Sequence, residues 1–178
     1  MRPAHAKSVG KRRFAAAAAV LLEPPPVSET IDISTFSGVA THDITQIDAI
    51  DITKFNAISA YYDNAATTGS GSGVAKGIRV RPTGGSFLAT GYQEIDPATQ
   101  QNSSMIVQAA AGTPFTGWCF LENTNSPDIE VFVKRTYFGT SPSMGTIDAS
   151  DAEIDAIQFV VVGGPLWSSG LIHLVGYR

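Results

Sequence analysis

Three stretches in the first third of the chain share one arrangement of apolar and polar positions. Asp32-Ile33-Ser34-Thr35-Phe36-Ser37-Gly38-Val39 is echoed by Asp43-Ile44-Thr45-Gln46-Ile47-Asp48-Ala49-Ile50. A third copy, Asp51-Ile52-Thr53-Lys54-Phe55-Asn56-Ala57-Ile58, follows directly, so the offsets are 11 and then 8 residues. Each copy sets its large apolar groups three apart, without the strict alternation of a half-buried strand. Ile, Thr, Ser, Asp and Asn dominate, and these are mediocre helix formers. Repeats this short cannot bury their own apolar row. The pattern therefore predicts an extended repeat stem over residues 31–62. Its seam, Ile33, Phe36, Val39, Ile44, Ile47, Ile50, Ile52, Phe55 and Ile58, would be closed by identical chains about a common axis. The alternative is an irregular edge of a monomeric domain.

Downstream the period changes. Short β-prone runs alternate with turn residues: Lys76–Arg81, Ser86–Gln93, Ser104–Ala110, Gly117–Glu122, Ile129–Phe138, Ile154–Val162 and Gly170–Tyr177. Between them stand clusters such as Pro82-Thr83-Gly84-Gly85, Gly112-Thr113-Pro114, Gly139–Gly145 and Gly163-Gly164-Pro165, which punctuate strands. Ile129, Val131 and Val133 alternate with Glu130, Phe132 and Lys134, as in a strand with one face in a core. Ile157–Val162 is nearly continuous apolar and reads as a central strand. The expectation is a mainly β chain whose C-terminal head, 76–178, is an antiparallel β-sandwich or jelly roll. Residues 63–75, ending Gly69-Ser70-Gly71-Ser72-Gly73, read as a Gly/Ser-rich joint between stem and head.

Charge divides the chain again. Residues 1–13 carry Arg2, Lys7, Lys11, Arg12 and Arg13 with no acid, while the remainder holds 7 basic and 16 acidic residues, for an overall net charge of −4. Phe14–Leu22 follows as an alanine-rich apolar run stopped by Glu23-Pro24-Pro25-Pro26. Basic then apolar is the order of a secretory leader, but no small-residue cleavage site follows. The run predicts a short helix, too short and too apolar to stand alone in water. Residues 1–30 are thus read as an anchor, with Lys11, Arg12, Arg13 and Phe14 as its attachment residues.

At 178 residues with 43% hydrophobic content the chain has room for a core, and no apolar run approaches the roughly 20 residues of a spanning helix. One cysteine, Cys119, excludes an intrachain disulfide and a multi-cysteine zinc site. It sits between Trp118 and Phe120 as a small buried hydrophobe. Gly69–Gly77 lacks both the Gly-Lys-[Ser/Thr] end of a phosphate loop and dinucleotide spacing. His5, His42 and His173 are scattered, and neither His-Glu-x-x-His nor Gly-x-Ser-x-Gly occurs. Asp148, Asp151, Glu153 and Asp155 offer oxygens for calcium without the loop spacing that would hold it, so they read as a solvated turn. Trp118 and Trp167 could stack on sugars if exposed, but their apolar neighbours favour packing. The reading is non-enzymatic, with no cofactor and no metal.

A basic, alanine-rich anchor, Asp-Ile repeats over Asp32–Ile58, a Gly/Ser-rich joint and a β head together resemble the virion structural proteins of tailed bacteriophages: tail fibres, spikes and head fibres. The resemblance implies a homotrimeric fibrous protein of the phage particle, held to other virion proteins through its N-terminus and displaying its head for host attachment. Polar loops at Asp96–Ser103, Asn123–Asp128 and Gly139–Ser150 suit the hydroxyls of a host-surface glycan, and they lack the clustered cations nucleic acid would need. Two rivals stand beside it: a secreted carbohydrate-binding module with an uncleaved leader, and a small capsid protein whose basic arm binds genome.

Overall fold

The computed structural model describes residues 24–69, 75–94, 105–109, 114–122, 124, 128–135, 143–148 and 153–178. The expected anchor helix at Phe14–Leu22 and its attachment residues Lys11, Arg12, Arg13 and Phe14 lie outside them, as do most of the three polar loops. The chain is mainly β, and its sheets are antiparallel throughout. The strands are β1 (Val27–Asp32), β2 (Thr41–Ile44), β3 (Gln46–Ile47), β4 (Ile50–Asp51), β5 (Ala57–Thr67), β6 (Ala75–Pro82) and β7 (Tyr92–Glu94). They continue with β8 (Met105–Ala109), β9 (Phe115–Glu122), β10 (Asp128–Arg135), β11 (Ser143–Asp148), β12 (Ile154–Val162) and β13 (Trp167–Tyr177). A seven-stranded sheet runs β1-β13-β5-β9-β10-β11-β7, a four-stranded sheet runs β2-β12-β6-β8, and β3 pairs with β4.

Alternation on the strands separates core from surface. Ile58, Ala60 and Tyr62 of β5, Cys119 and Leu121 of β9, and Ile172 and Leu174 of β13 are buried on one side of the large sheet. Ile78 and Val80 of β6 and Ile157, Phe159 and Val161 of β12 are buried on one side of the small one. All of these belong to a single apolar cluster. Tyr62 meets Phe159 of the other sheet edge-on, ring centroids 5.6 Å apart. Burying this much apolar surface at once is what holds the two sheets to a common core.

The repeats serve this core, and here the stem expectation is corrected. Ile33, Ile47, Ile52, Phe55 and Ile58 are 0–1% exposed and Ile44 is 7% exposed within a single chain, leaving no surface for a partner. Phe36 and Ile50 are partly buried against the same cluster, and Val39 alone is 41% exposed. The row is closed by the chain's own sheets, because β1 and β5 lie in the same sheet as the C-terminal strand β13. Residues 31–62 and 76–178 therefore share sheets and core.

The Asp-Ile-[Ser/Thr] signature still has a physical basis. In the first and third copies Asp32 and Asp51 are N-caps of 3-10 turns at Ile33–Phe36 and Ile52–Lys54. Their carboxylates accept from the Ser34 N–H at 2.8 Å and the Thr53 N–H at 3.0 Å, the capping chemistry such residues favour. The Ile that follows is driven into the core in both. The second copy runs instead through β2 and β3 into a two-residue turn, where Asp48 and Ala49 take φ of 48° and 61°. Positive φ at both positions is the twist a tight hairpin requires.

Of the seven expected strands, Ile154–Val162 matches β12 residue for residue. Ser86–Gln93 does not: only Tyr92–Glu94 is extended. The Tyr92 hydroxyl there accepts from the Val80 N–H at 3.1 Å and donates to the Leu88 carbonyl at 3.2 Å, pinning a loop rather than a strand. The Gly139–Gly145 turn gives way to β11 from Ser143 onward. The start of the expected joint, Asp63–Thr67, continues β5, and the segment after it leads from the large sheet to the small one. Gly170 sits at a local irregularity: its φ is +111°, and a Cβ there would stand 2.5 Å from the Asn64 carbonyl oxygen. Both strands shift register at this point, so two irregularities nest where only glycine fits.

Candidate functional site

The outer face of the large sheet is the feature that sequence reasoning missed. Residues facing away from the core line up in cross-strand rows through the registers of β1, β13, β5 and β9. One row is Thr30, His173, Tyr61 and Trp118; the next is Ser28, Val175, Ser59 and Phe120. Leu171 lies between Asp32 and Asp63 at one end, and Tyr177 beside Ala57 and Glu122 at the other. Aromatic and aliphatic side chains thus share the middle with Ser28, Thr30, Ser59 and His173, and carboxylates stand at both ends. Tyr61 and Tyr177 are 39% and 38% exposed, while Trp118, Phe120, Leu171, His173 and Val175 are half-buried.

The rings are set by their neighbours. Tyr61 and His173 lie 5.8 Å apart at a tilt of 31°, and the His173 Nδ1 is 2.9 Å from the Thr30 hydroxyl. Phe120 meets Tyr177 edge-on at 5.6 Å. These two sit on strands flanking β5, whose outward residues there, Ser59 and Ala57, are small. Small residues under large ones leave the aromatic edges to reach across, a relief that favours contact with another surface. In register, β10 sets Lys134 opposite Trp118 and Phe132 opposite Phe120.

The outer face of the small sheet differs in kind. Arg79 donates to the Gln158 side-chain Oε1 at 3.4 Å, and the Gln158 Nε2 donates to the Asp43 carboxylate at 2.8 Å. Arg81 pairs with Asp155 at 2.5 Å and lies over the Phe87 ring at 5.5 Å. Asp155 is thereby drawn into an ion pair. Among the described residues no group of three His, Cys, Asp or Glu side chains is placed to hold a metal ion, and Asp151 of the acidic cluster lies outside them.

The remaining chemical candidates are packed away or capped. Cys119 is fully buried, and burial pushes its thiol up to about 12, far from a reactive thiolate. Trp167 is buried as well, its indole nitrogen without a hydrogen-bond partner, so the two tryptophans part company: one core, one outer face. His42 stacks on Phe36 with centroids 3.8 Å apart, and desolvation lowers its pKa. Lys76, on the core side of β6, is 1% exposed, and burial pulls its ammonium down to about 8. Hydrogen bonds from Ser34 and Thr53 hold the capping carboxyls of Asp32 and Asp51 below the usual carboxylate range.

No described helix is long and apolar enough to cross a membrane. No protein-family model matches the chain, and no curated protein or solved structure does so either.

Proposed function

We propose that the chain is a structural component of a bacteriophage virion, of the fibre, spike or decoration kind, whose two sheets form a β-sandwich head. Its work is contact rather than turnover. The observation that carries this reading is the aromatic outer face of the large sheet, mounted on rigid strands that share one core. Interface surfaces are enriched in Tyr, Trp and Phe, and such residues in Trp118, Tyr61, Phe120 and Tyr177 stand where a solvated sheet would carry charges. The basic and apolar N-terminal residues 1–30 attach the head to other virion proteins. Antibodies raised against the full chain test this directly. Label on intact particles, and the chain's peptides in purified virions, are the expected result. Peptides found in the soluble lysate and absent from particles would overturn the reading.

A second reading, a carbohydrate-binding module, is favoured by one row alone. Trp118 and Tyr61 share a row with Thr30 and His173, Tyr61 standing next to the imidazole, so ring faces and hydrogen-bonding groups lie along one line as a pyranose requires. Saccharide titration monitored by tryptophan emission separates it from the first reading. Saturable change lost in Trp118→Ser would favour the module.

A further inference from the structure

We infer that a second copy of this chain seats on the outer face of the large sheet, pairing the two molecules face to face about a twofold axis. The inference deepens the assembly reading above and rests on it, because it names the partner of the same face.

The seam expected from the repeats is spent inside the chain, so self-association needs another surface. The outer face has the required extent. Strands lie about 4.8 Å apart and rise about 3.3 Å per residue, so the four strands β1, β13, β5 and β9, six to eleven residues long, present a face of roughly 20 by 30 Å. That is on the order of 600 Å² per copy and about 1,200 Å² for a pair, the lower bound of specific, stable interfaces. The composition fits as well: Tyr61, Trp118, Phe120 and Val175 stand in the middle among the small polar Ser28, Thr30 and Ser59 and the His173 ring, Tyr177 lies toward one end, and the carboxylates of Asp32, Asp63 and Glu122 stand at the ends. An isologous pair uses one patch twice, so it needs no matching cavity on a second surface.

The two tryptophans supply the readout. Trp167 is fully buried and Trp118 only half-buried, so collisional quenching by acrylamide reports chiefly on Trp118. On the full chain, the expected mass by light scattering is twice the 18.7 kDa of one chain. Quenching of Trp118 is expected to fall as concentration rises through the dimerisation range. The double variant Tyr61→Ser/Trp118→Ser is expected to weaken the dimer at least about 100-fold, since central aromatic residues carry most interface energy. Tyr61→Arg, a second variant that keeps both tryptophans, is expected to do the same while its circular dichroism stays that of the parent. A monomer at all concentrations, a trimer, or a dimer surviving both variants overturns the inference. So does a monomer whose Trp118 is protected by a saccharide, or one that dimerises only after residues 1–23 are deleted; these outcomes assign the face to a sugar and to the chain's own N-terminal segment. A monomer found on virions defeats the face-to-face pair and leaves the assembly reading standing. A dimer absent from virions does the reverse.

Discussion

The outer faces of the two sheets solve the same problem in opposite ways. On the small sheet, Arg79, Gln158 and Asp43 form a hydrogen-bonded chain across three strands, and Arg81 is paired with Asp155. Polar groups there find partners on neighbouring strands, so the face is largely satisfied within the chain. On the large sheet the equivalent positions hold Tyr61, Trp118, Phe120, Val175 and Tyr177, whose exposed area is still in water. The difference teaches where this molecule keeps its capacity for association: a face already bonded to itself gains little from a partner, whereas exposed aromatic area gains from being covered.

The largest expected effect removes the frame both faces depend on. Phe159 is fully buried, edge-on to Tyr62, and stands opposite Ile78 and His42 in the small sheet. Phe159→Ala should cost about 3–5 kcal/mol of stability, through lost burial and the cavity left behind. Phe120→Ala, on the half-buried outer face, should cost less than about half as much in the monomer. Urea titration of both variants at low concentration checks the contrast. Equal costs would mean that the outer face is as tightly packed as the core, and the comparison would collapse.

A middle-sized effect concerns the polar bias of the small sheet, which extends inward at Lys76. Its ammonium is depressed from 10.5 to about 8 by burial. Between those values the unfolded chain binds the proton and the folded chain has released it, so stability rises with pH across that window. Below pH 8 both states are protonated and the burial cost is present in full. The slope should be no more than about 1 kcal/mol per pH unit. Cys119 opposes it at the upper end, because its raised pKa makes stability fall as pH climbs above 9. Lys76→Met should remove the rise and leave the Cys119 contribution, so the difference between the two pH profiles isolates the lysine. Parallel profiles from pH 7.5 to 10 would show that Lys76 is not desolvated.

Much of the C-terminal strand pattern was legible in the chain, and the reason is periodicity. Ile154–Val162 reads as a buried strand because its residues are apolar in succession, and Gly117–Glu122 lies within β9. β5 was hidden by two competing signals. Its first residues, Ala57 and Ile58, complete the third Asp-Ile repeat, and its last, Asp63–Thr67, resemble the start of a polar joint. Between them Ser59–Tyr62 alternates only weakly, because Tyr61 faces outward and Tyr62 inward, both aromatic. The same feature concealed the candidate site: an outer face made of rings erases the polar half of the alternation that marks a strand. The repeats misled for a related reason. Spacing shows that Ile33, Ile52 and Phe55 must be buried, but not whether a second chain or the same chain covers them. β12 and β13, more than 100 residues away in sequence, supply that cover: β13 packs on the turn that holds Ile33 and its Gly176 lies against the Phe55 ring, while β12 packs on the turn that holds Ile52.

The smallest expected effects sharpen the comparison most, because they pit one outer face against the other at matched positions. Gln158 is 8% exposed and bridges Arg79 and Asp43. Gln158→Leu keeps the approximate volume, but Asp43 loses the amide that donates to it, which should cost about 1–2 kcal/mol. Tyr61→Thr, on the aromatic face, replaces a residue 39% exposed with one that suits a strand equally well. Its monomer should stay within about 0.5 kcal/mol of the parent, as surface substitutions generally do. Concentration reverses the order. Gln158→Leu should leave the association constant unchanged, whereas Tyr61→Thr should weaken it. Thermal melts at low and high protein concentration measure both quantities on the same samples. If Gln158→Leu altered association and Tyr61→Thr did not, the contact surface would belong to the small sheet, and the polar face would be the one that meets a partner.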